Sequence, residues 1–385
     1  MDITVPAIKR ILFLTGTRAD FGKIKSLINV LERDPRFSVS IFITGMHMHA
    51  LYGSTYMEVE GCGYRNTYKY INHTSEMTMD LTLAKTIEGL SSYIHEFPTD
   101  MIVIHGDRVE ALAGAITGSL NNILVAHIEG GELSGTIDDL IRHAVSKMSH
   151  IHFVSNEQAK QRLIQLGESP HAIFNIGSPD MDIMFSTSLP SLKTVKTYYN
   201  IPYDRYAIVM YHPVTTEYPL MEQHARNFVD ALMDDGKRNY VVIYPNNDLG
   251  SNYILAEYRR LKNMPRFRIF PSIRFEYFLT LLKHADFMIG NSSAGIREAP
   301  VYGIPSINIG SRQNKRAIAP TIINCGDDTA NIREAIVRLP SLPRTTNLSF
   351  GSGQSDVEFS KILSQPDVWA IPKQKQFNDL NLSHR

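Results

Sequence analysis

Short apolar runs, each followed by a longer amphipathic stretch, constrain the fold of this chain more than any other feature. The runs are: Ile11–Leu14, Val39–Ile43, Met101–Ile104, Ile123–Ala126, Ile151–Val154 and Ile173–Ile176 in the first half, and Tyr206–Met210, Tyr240–Tyr244, Phe267–Phe270, Phe287–Ile289 and Ser306–Ile309 in the second. Their continuous apolar character is typical of strands that are buried on both faces. Alternation of such strands with helices predicts α/β domains built on parallel sheets.

The chain divides into two similar halves. Its 385 residues are too many for one ordinary core and suit two domains. The segment Gly177–Pro202 is rich in Pro, Ser and Asp and is the predicted hinge. We therefore predict an N-terminal domain over residues 1–177, a C-terminal domain over residues 203–365, and a polar tail, 366–385, that packs back on the first domain. Ligands of such sheets bind outside the carboxyl ends of the strands, which predicts a binding cleft between the domains.

Charge and cysteine content narrow the functional classes. Lys plus Arg equals Asp plus Glu at 39 each, so no net field favours nucleic acid or an anionic membrane. The two cysteines, Cys62 and Cys325, are far apart, so neither a disulfide framework nor a cysteine-based zinc site is expected. The run Ile11–Leu14 is much shorter than a signal sequence or a membrane span. We expect a cytoplasmic protein with neither nucleic-acid nor membrane partners.

A glycine-containing turn, Thr15–Lys23, follows the first predicted strand. Glycine at the carboxyl end of a strand lets a ligand approach the backbone. The spacing of Gly16 and Gly22 fits neither a P-loop nor a dinucleotide fingerprint. Arg18 can bind a phosphate through its planar fork, but an ordinary turn with a surface arginine explains the segment equally well.

Three acidic residues lie where strands of the first half end. Asp107 and Glu129 each follow a predicted strand, and Asp138 lies in the first turn of the next helix, which Thr136 or Asp138 can cap. Capping accounts for one acid but not for three that meet at the same edge of a sheet. Several carboxylates in one cleft shift one another's pKa and can divide acid and base roles, which predicts a catalytic site.

The segment Asn291–Glu298 follows a strand of the second half. Ser292 and Ser293 precede a helix predicted from Ala294 onward, whose free amides can bind a diphosphate. Glu298 can accept hydrogen bonds from two ribose hydroxyls. Simple N-capping by serine is the alternative interpretation.

Two further residues of the second half face the predicted cleft. His212 follows a strand and can contact a phosphate, act in catalysis or only stabilise a turn. Phe278, on the preceding helix, can stack on a base.

Seven motifs in order span nearly the whole chain: Arg18–Asp20, His105–Arg108, His127–Glu132, Gly135–Asp139, His212–Thr216, Gly290–Ser293 and Gly310–Gln313. Together they resemble the hydrolysing UDP-N-acetylglucosamine 2-epimerases of sialic acid biosynthesis. The resemblance implies a GT-B fold, in which two Rossmann-like doubly wound domains enclose the active site, and the products N-acetylmannosamine and UDP. The pattern Glu129–Gly135 is more similar to the hydrolysing than to the non-hydrolysing branch.

The same resemblance implies roles for individual residues. The implied catalytic residues are Asp107, Glu129, Asp138 and His212. The residues that match UDP-binding positions are Arg18, Arg108, His212, Asn246, Ile273, Phe278, Ser292, Ser293, Glu298 and Arg312. At the position of Gly22, the animal enzyme of this family has a serine near the nucleotide. No side-chain contact with the nucleotide is therefore assigned to Gly22. Neither a cofactor nor a metal is implied, and a homodimer or homotetramer is expected.

The implied reaction is an anti elimination of UDP that gives 2-acetamidoglucal, followed by hydration with inversion at C2. The same motifs suit a 2-epimerase acting on UDP-N,N'-diacetylbacillosamine for legionaminic-type acids. A GT-B glycosyltransferase would share the nucleotide site but would not need three carboxylates in the first domain. A non-catalytic nucleotide-sugar sensor is the remaining alternative.

Overall fold

Two parallel sheets organise the part of the chain that the computed structural model describes, residues 8–73, 77–134, 137–313 and 319–379. The strands are β1 (Lys9–Thr15), β2 (Phe37–Ile43), β3 (Thr67–Lys69), β4 (Met101–His105), β5 (Leu124–Ile128), β6 (Ile151–Val154), β7 (Ile173–Asn175), β8 (Ala207–Met210), β9 (Tyr240–Ile243), β10 (Phe267–Phe270), β11 (Met288–Gly290), β12 (Ser306–Ile309) and β13 (Ile322–Cys325). Their order is β3-β2-β1-β4-β5-β6-β7 in one sheet and β10-β9-β8-β11-β12-β13 in the other. The predicted GT-B architecture of two Rossmann-like doubly wound domains is confirmed.

Helices connect the parallel strands. They are α1 (Arg18–Glu32), α2 (Tyr56–Glu60), α3 (Met79–Glu96), α4 (Val109–Leu120), α5 (Ile137–Met148), α6 (Glu157–Gln165), α7 (Pro179–Met184), α8 (Leu192–Tyr198), α9 (Met221–Asp234), α10 (Ser251–Tyr258), α11 (Phe275–Lys283), α12 (Glu298–Val301), α13 (Thr329–Arg338), α14 (Ser355–Leu363) and α15 (Pro366–Trp369). Within the described ranges, no helix has both the length and the apolar character needed to cross a membrane.

Burial on both faces explains the continuous apolar runs. In β1, Ile11 and Phe13 pack against α1 on one face, while Leu12 and Leu14 pack against α3 and α4 on the other. All four side chains are buried. Each residue of a central strand therefore faces a covering layer of helices, which favours apolar side chains; the polar exceptions His127 and His152 are buried and hydrogen-bonded.

Two of the four edge strands, β3 and β13, are absent from the sequence prediction, whereas the edge strands β7 and β10 were predicted. In β3, Tyr68 and Lys69 are exposed, and in β13 only Ile323 is fully buried. An edge strand has one neighbour and can be partly solvated, so its sequence can lack the apolar run that identifies a central strand, as in β3 and β13.

The predicted hinge and the C-terminal segment both contain helices. In the hinge, Met181, Met184 and Val195 from α7 and α8 pack into the core of the second domain. Beyond that domain the chain returns to the first one, where Phe359 of α14 lies 4.7 Å from the ring of Phe153. The return begins before residue 366, because the apolar face of α14 is buried against the first sheet.

Candidate active site

The cleft between the two sheets brings the predicted site residues together. A cavity of about 270 Å³ lies at the carboxyl ends of the strands and is lined by both domains. The predicted residues that line it are Arg18, Asp107, Arg108, Glu129, Asp138, His212, Asn246, Ile273, Phe278, Ser292, Ser293, Glu298 and Arg312. Their individual roles stay predictions. Thr136, the alternative cap of α5, lies outside the described residues.

The three predicted catalytic carboxylates differ in their access to the cleft. The side chains of Asp107 and Asp138 are 22% and 18% exposed, whereas that of Glu129 is 3% exposed. Asp107 forms an ion pair with Arg142 and accepts a hydrogen bond from the Ser134 hydroxyl at 3.0 Å. Two of the three acids can therefore reach a ligand directly, and Glu129 is held beneath them.

Glu129 occupies a left-handed backbone conformation, with φ of 64°, immediately after β5. This conformation is uncommon for residues other than glycine and recurs at functional sites. Its carbonyl oxygen accepts a 2.6 Å hydrogen bond from Arg142. Burial alone would raise the pKa of Glu129, but Arg297, Lys23 and His105 outweigh it and hold the pKa well below its usual range. Glu129 is therefore an anion in this site.

His105 connects two carboxylates at the end of β4. Its Nδ1 lies 2.8 Å from Asp20 Oδ1, and its Nε2 lies 3.1 Å from Glu129 Oε2. Burial lowers the pKa of His105, but hydrogen bonds to both acids outweigh burial and raise it to about 9. The imidazole is therefore a cation at neutral pH and stabilises both carboxylates.

The loop after β11 departs from the prediction for Asn291–Glu298. A helix from Ala294 onward was expected, but a 3-10 turn, Ser293–Gly295, is followed by the four-residue helix α12. Few backbone amides are thus aligned there, so any diphosphate site relies more on the serine hydroxyls and nearby cations than on a helix dipole. Gly290 allows the sharp turn, because a Cβ there would lie 1.9 Å from the carbonyl oxygen of Met210.

Glu298 is buried and only partly satisfied. Its Oε1 forms a 2.8 Å ion pair with Lys23 of the first domain. Its Oε2 is buried and has no hydrogen-bond partner among the described residues. An unpaired buried carboxylate oxygen is costly unless a ligand donates to it, so this atom suits a ligand hydroxyl.

His212 is fixed by two asparagines. The Asn291 side chain accepts a 2.7 Å hydrogen bond from the His212 amide and donates to its carbonyl oxygen at 2.8 Å. The Nδ1 atom of His212 accepts from the Asn246 amide at 3.0 Å. Burial and the nearby Arg312 and Arg108 hold the pKa of His212 well below its usual range. The ring is therefore neutral, with its proton on Nε2, and can donate to an oxygen in the cleft.

Three arginines at the cleft contact the opposite domain. The contacts are Arg18 Nη1 to Ser272 Oγ at 2.7 Å, Arg108 Nη2 to Asn247 Oδ1 at 3.2 Å, and Arg312 Nη2 to Asp138 Oδ2 at 2.9 Å. They concentrate positive charge in the cleft of a chain whose net charge is zero, as a built anion site requires.

Ile273 and Phe278 form an apolar wall of the cleft. Each is 6% exposed and packs in a core cluster with Phe275. An apolar wall beside cationic groups suits a nucleotide, whose base is flat and whose phosphates are charged. Stacking of a base on Phe278 stays a prediction.

The sequence prediction did not assign several cleft residues that the structure brings together. Lys23, His105 and Arg297 lie in the segments Thr15–Lys23, His105–Arg108 and Asn291–Glu298 but received no role. Arg297 and Glu298 stand in an otherwise apolar stretch, which indicates buried charges that need partners elsewhere in the fold. Asp180, which accepts from Lys23 at 3.2 Å, gave no such signal because its position depends on the path of the hinge.

One group of possible metal ligands occurs among the described residues. Glu217, His224 and Asp327 place their ligand atoms within 4.8 Å of one another. The Ser311 hydroxyl donates to Glu217, and the Tyr211 hydroxyl donates to Asp327 at 3.1 Å. None of the three residues lines the cleft cavity, so the group is separate from the candidate active site.

Known proteins resemble this chain over most of its length. A family model described as UDP-N-acetylglucosamine 2-epimerase matches residues 29–364. A UDP-N-acetylglucosamine 2-epimerase of Neisseria meningitidis serogroup B is 51% identical over 378 residues, which cover 97% of this chain and 100% of that protein. A UDP-N,N'-diacetylbacillosamine 2-epimerase (hydrolyzing) of Legionella pneumophila is 32% identical over 323 residues, 82% of this chain and 85% of that protein.

A solved structure shares the fold. It is the UDP-GlcNAc 2-epimerase of Methanocaldococcus jannaschii in complex with UDP-GlcNAc and UDP, which superposes with a TM-score of 0.79 at 21% identity. The match covers 92% of this chain and 99% of that one. At this identity the likeness establishes the arrangement of the two domains and nothing about individual side chains.

Proposed function

The chain belongs to the UDP-N-acetylglucosamine 2-epimerase family, and we propose that it is a hydrolysing member that converts UDP-N-acetylglucosamine and water into N-acetylmannosamine and UDP. N-acetylmannosamine is a precursor of sialic acids, so the proposed role is in sialic acid synthesis. The Legionella relative supports the hydrolysing type, since its name includes that description.

The contact between Arg312 and Asp138 carries the proposal. Arg312 comes from the domain that holds the proposed nucleotide site, and Asp138 from the domain that holds the proposed catalytic acids, yet their side chains are 2.9 Å apart. A diphosphate bound at Arg312 would therefore have its attached sugar beside the acids. That juxtaposition is what cleavage of a sugar–diphosphate bond requires.

The second domain supplies the proposed UDP contacts. The unpaired Oε2 of Glu298 accepts a hydrogen bond from a ribose hydroxyl, while Ile273 and Phe278 contact the base. The hydroxyls of Ser292 and Ser293 donate to the diphosphate. These assignments need no metal or cofactor, because hydroxyls and arginines can carry the phosphate charge.

The proposed first step is an anti elimination. A carboxylate takes the C2 proton, a C1–C2 double bond forms, and the C1–O bond breaks with its electron pair leaving on UDP. Arg18, Arg312 and the Nε2–H of His212 stabilise the departing phosphate. Asp107 and Asp138 are the better candidates for proton transfer, because both reach the cleft and Glu129 is fully engaged in ion pairs.

The proposed second step is hydration of the 2-acetamidoglucal. Water adds its oxygen to C1, and C2 receives a proton on the face opposite to the one that lost it. The product is a free sugar with inverted C2. One acid activates water and the other returns the proton, a division of roles that two carboxylates in different environments permit.

Proton NMR without any acceptor tests the proposal. Incubation with UDP-N-acetylglucosamine should give N-acetylmannosamine and UDP, and product formed in heavy water should carry deuterium at C2. Product without deuterium would exclude the elimination route. Absence of reaction would favour a glycosyltransferase, a sensor that binds without turnover, or another sugar.

A second substrate is UDP-N,N'-diacetylbacillosamine, which the Legionella relative is named for. UDP-N-acetylglucosamine and UDP-N,N'-diacetylbacillosamine differ at C4 and C6 of the sugar. The turnover rates of the enzyme with each of them, measured side by side, decide which is the substrate.

A cytoplasmic location and a homodimer or homotetramer stay predictions, and light scattering in solution tests the assembly.

A further inference from the structure

Arg297 belongs to the second domain, but its guanidinium lies among acids of the first. Its Nη1 donates to Glu129 Oε2 at 2.9 Å, and its Nη2 donates to Glu129 Oε1 at 2.5 Å. Nη1 also forms an ion pair with Glu132. The side chain of Arg297 is 4% exposed. One buried cation thus bridges two buried carboxylates that lie three positions apart after β5.

The surroundings of Arg297 fix its orientation. Its Nη2 donates to the Ser178 hydroxyl at 2.7 Å, and its guanidinium lies over the Phe350 ring at 4.8 Å from the ring centroid. Asp180 lies 3.7 Å from Nη2. The planar group therefore meets Glu129 through both nitrogens, which gives a bidentate contact of defined direction.

Glu129 faces charged groups from several elements. They are His105 after β4, Lys23 on α1, Arg142 on α5, Glu132 on its own loop and Arg297 before α12. Within this set, the described contacts make Arg297 the cation that binds both carboxylate oxygens of Glu129. It is also the member of the set that the second domain contributes.

We propose that Arg297 is a positioning residue that keeps Glu129 ionised and correctly oriented by bridging it to Glu132 when the second domain is seated against the first. The inference rests on the proposed function, in which Glu129 is the predicted catalytic carboxylate held beneath Asp107 and Asp138, the two acids proposed to transfer protons. It assigns to Arg297 a function in the reaction without contact between Arg297 and the substrate.

The physical reason is the cost of burying like charges together. Two buried carboxylates without an adjacent cation favour uptake of a proton, because desolvation and mutual repulsion both oppose ionisation. Removing one partner of a buried ion pair leaves that penalty uncompensated. Loss of Arg297 should therefore return a proton to Glu129 at a pH where Glu129 of the wild-type protein is ionised.

Kinetics of Arg297→Met and Arg297→Lys provide the first test. For Arg297→Met we expect kcat to fall about 100-fold, the low end of what general acid–base catalysis contributes, because a displaced or protonated Glu129 disturbs the site beneath Asp107 and Asp138. The acidic limb of the pH profile of kcat should move up by about one pH unit. Affinity for UDP should stay within about threefold. Arg297→Lys keeps the charge but loses the bidentate contact, so kcat should fall while the acidic limb stays in place.

The Glu132→Gln substitution provides a rescue. In the Arg297→Met background it removes one of the two carboxylates that Arg297 bridges in the wild-type protein, so the acidic limb should return toward its wild-type position and kcat should recover at least in part. Lower kcat in Arg297→Met with an unmoved limb and no rescue by Glu132→Gln would overturn the proposal, since a merely structural arginine behaves in that way.

Urea unfolding tests the same charge balance without turnover. The depressed pKa of Glu129 stabilises the wild-type protein above the unfolded-state value of about 4.3. In Arg297→Met the carboxylate pKa is instead raised, so the loss of stability should grow as pH rises. We expect the difference in urea midpoint between wild type and variant to be at least about twice as large at pH 8 as at pH 5.

An equal difference in midpoint at both pH values would contradict the inference. If Arg297→Met does not fold, the same comparison is made with Arg297→Gln, which also removes the charge but keeps a hydrogen-bond donor, and its midpoint difference should again be larger at pH 8 than at pH 5. A wild-type protein that turns over neither UDP-sugar would refute the proposed function, while the unfolding comparison would still decide the role of Arg297.

Discussion

Replacing Gly22 with alanine should weaken UDP binding by forcing the two domains apart. Gly22 lies on α1 of the first domain and faces Phe275, the first residue of α11 in the second. A Cβ at position 22 would lie 2.3 Å from the Cβ of Phe275. Ordinary carbon–carbon contacts are about 3.5–4.0 Å, so the two helices must separate by more than about 1 Å.

The separation should break the contacts that α1 makes across the cleft. Lys23 to Glu298 is 2.8 Å and Arg18 to Ser272 is 2.7 Å, and an added 1 Å or so takes both beyond hydrogen-bonding range. Overpacking of this kind costs roughly 1–3 kcal/mol. Alanine also stabilises α1 by about 1 kcal/mol relative to glycine, but that gain is present whether or not the domains touch, so it does not favour closure.

Calorimetry of UDP binding measures the effect. A penalty of roughly 1–3 kcal/mol on the closed arrangement corresponds to a Kd increase of about 5- to 100-fold. The matched control introduces Gly22→Ala into a Phe275→Gly background, where the clashing Cβ is absent and the added methyl should leave the Kd unchanged. A Kd within about twofold of wild type for Gly22→Ala alone would refute the reasoning, because closure would then not require this close approach.

Three further outcomes are expected. Asp107→Asn should lower turnover at least about 100-fold with UDP affinity nearly unchanged; near-normal turnover measured by NMR would remove Asp107 from the catalytic set. The His105 pKa of about 9 lies above its unfolded value of about 6.5, so its pairs with Asp20 and Glu129 stabilise fully below pH 6.5 and are lost as pH rises through 9. The urea midpoint should therefore drop over that window, and His105→Gln should show a smaller drop; equal drops would contradict the role of the imidazolium. Glu298→Gln should weaken UDP binding roughly tenfold but affect 2'-deoxy-UDP less, and equal weakening of both ligands in calorimetry would argue against a ribose contact.

The sequence predicted the architecture well because central strands carry their own signal. Double burial favours apolar side chains along the strand, so runs such as Met101–Ile104 identify a strand without any knowledge of its neighbours. Edge strands lack that requirement, and the two that are largely exposed, β3 and β13, were missed. The helix expected from Ala294 was wrong in extent, because local propensity does not reveal that the chain turns again at Arg297.

The sequence by itself also located the cleft, since residues that follow parallel strands must meet at one edge. Asp107, Glu129 and Asp138 in the first domain and Ser292 with Glu298 in the second follow from that rule, and all of them line one cavity. Only the tertiary structure decided which charges neutralise one another. Pairs such as Glu129 with Arg297 are 168 positions apart, and in a chain with 39 basic and 39 acidic residues composition allows very many pairings. Burial selects among them, because a desolvated charge is stable only where the fold places an opposite charge within contact distance.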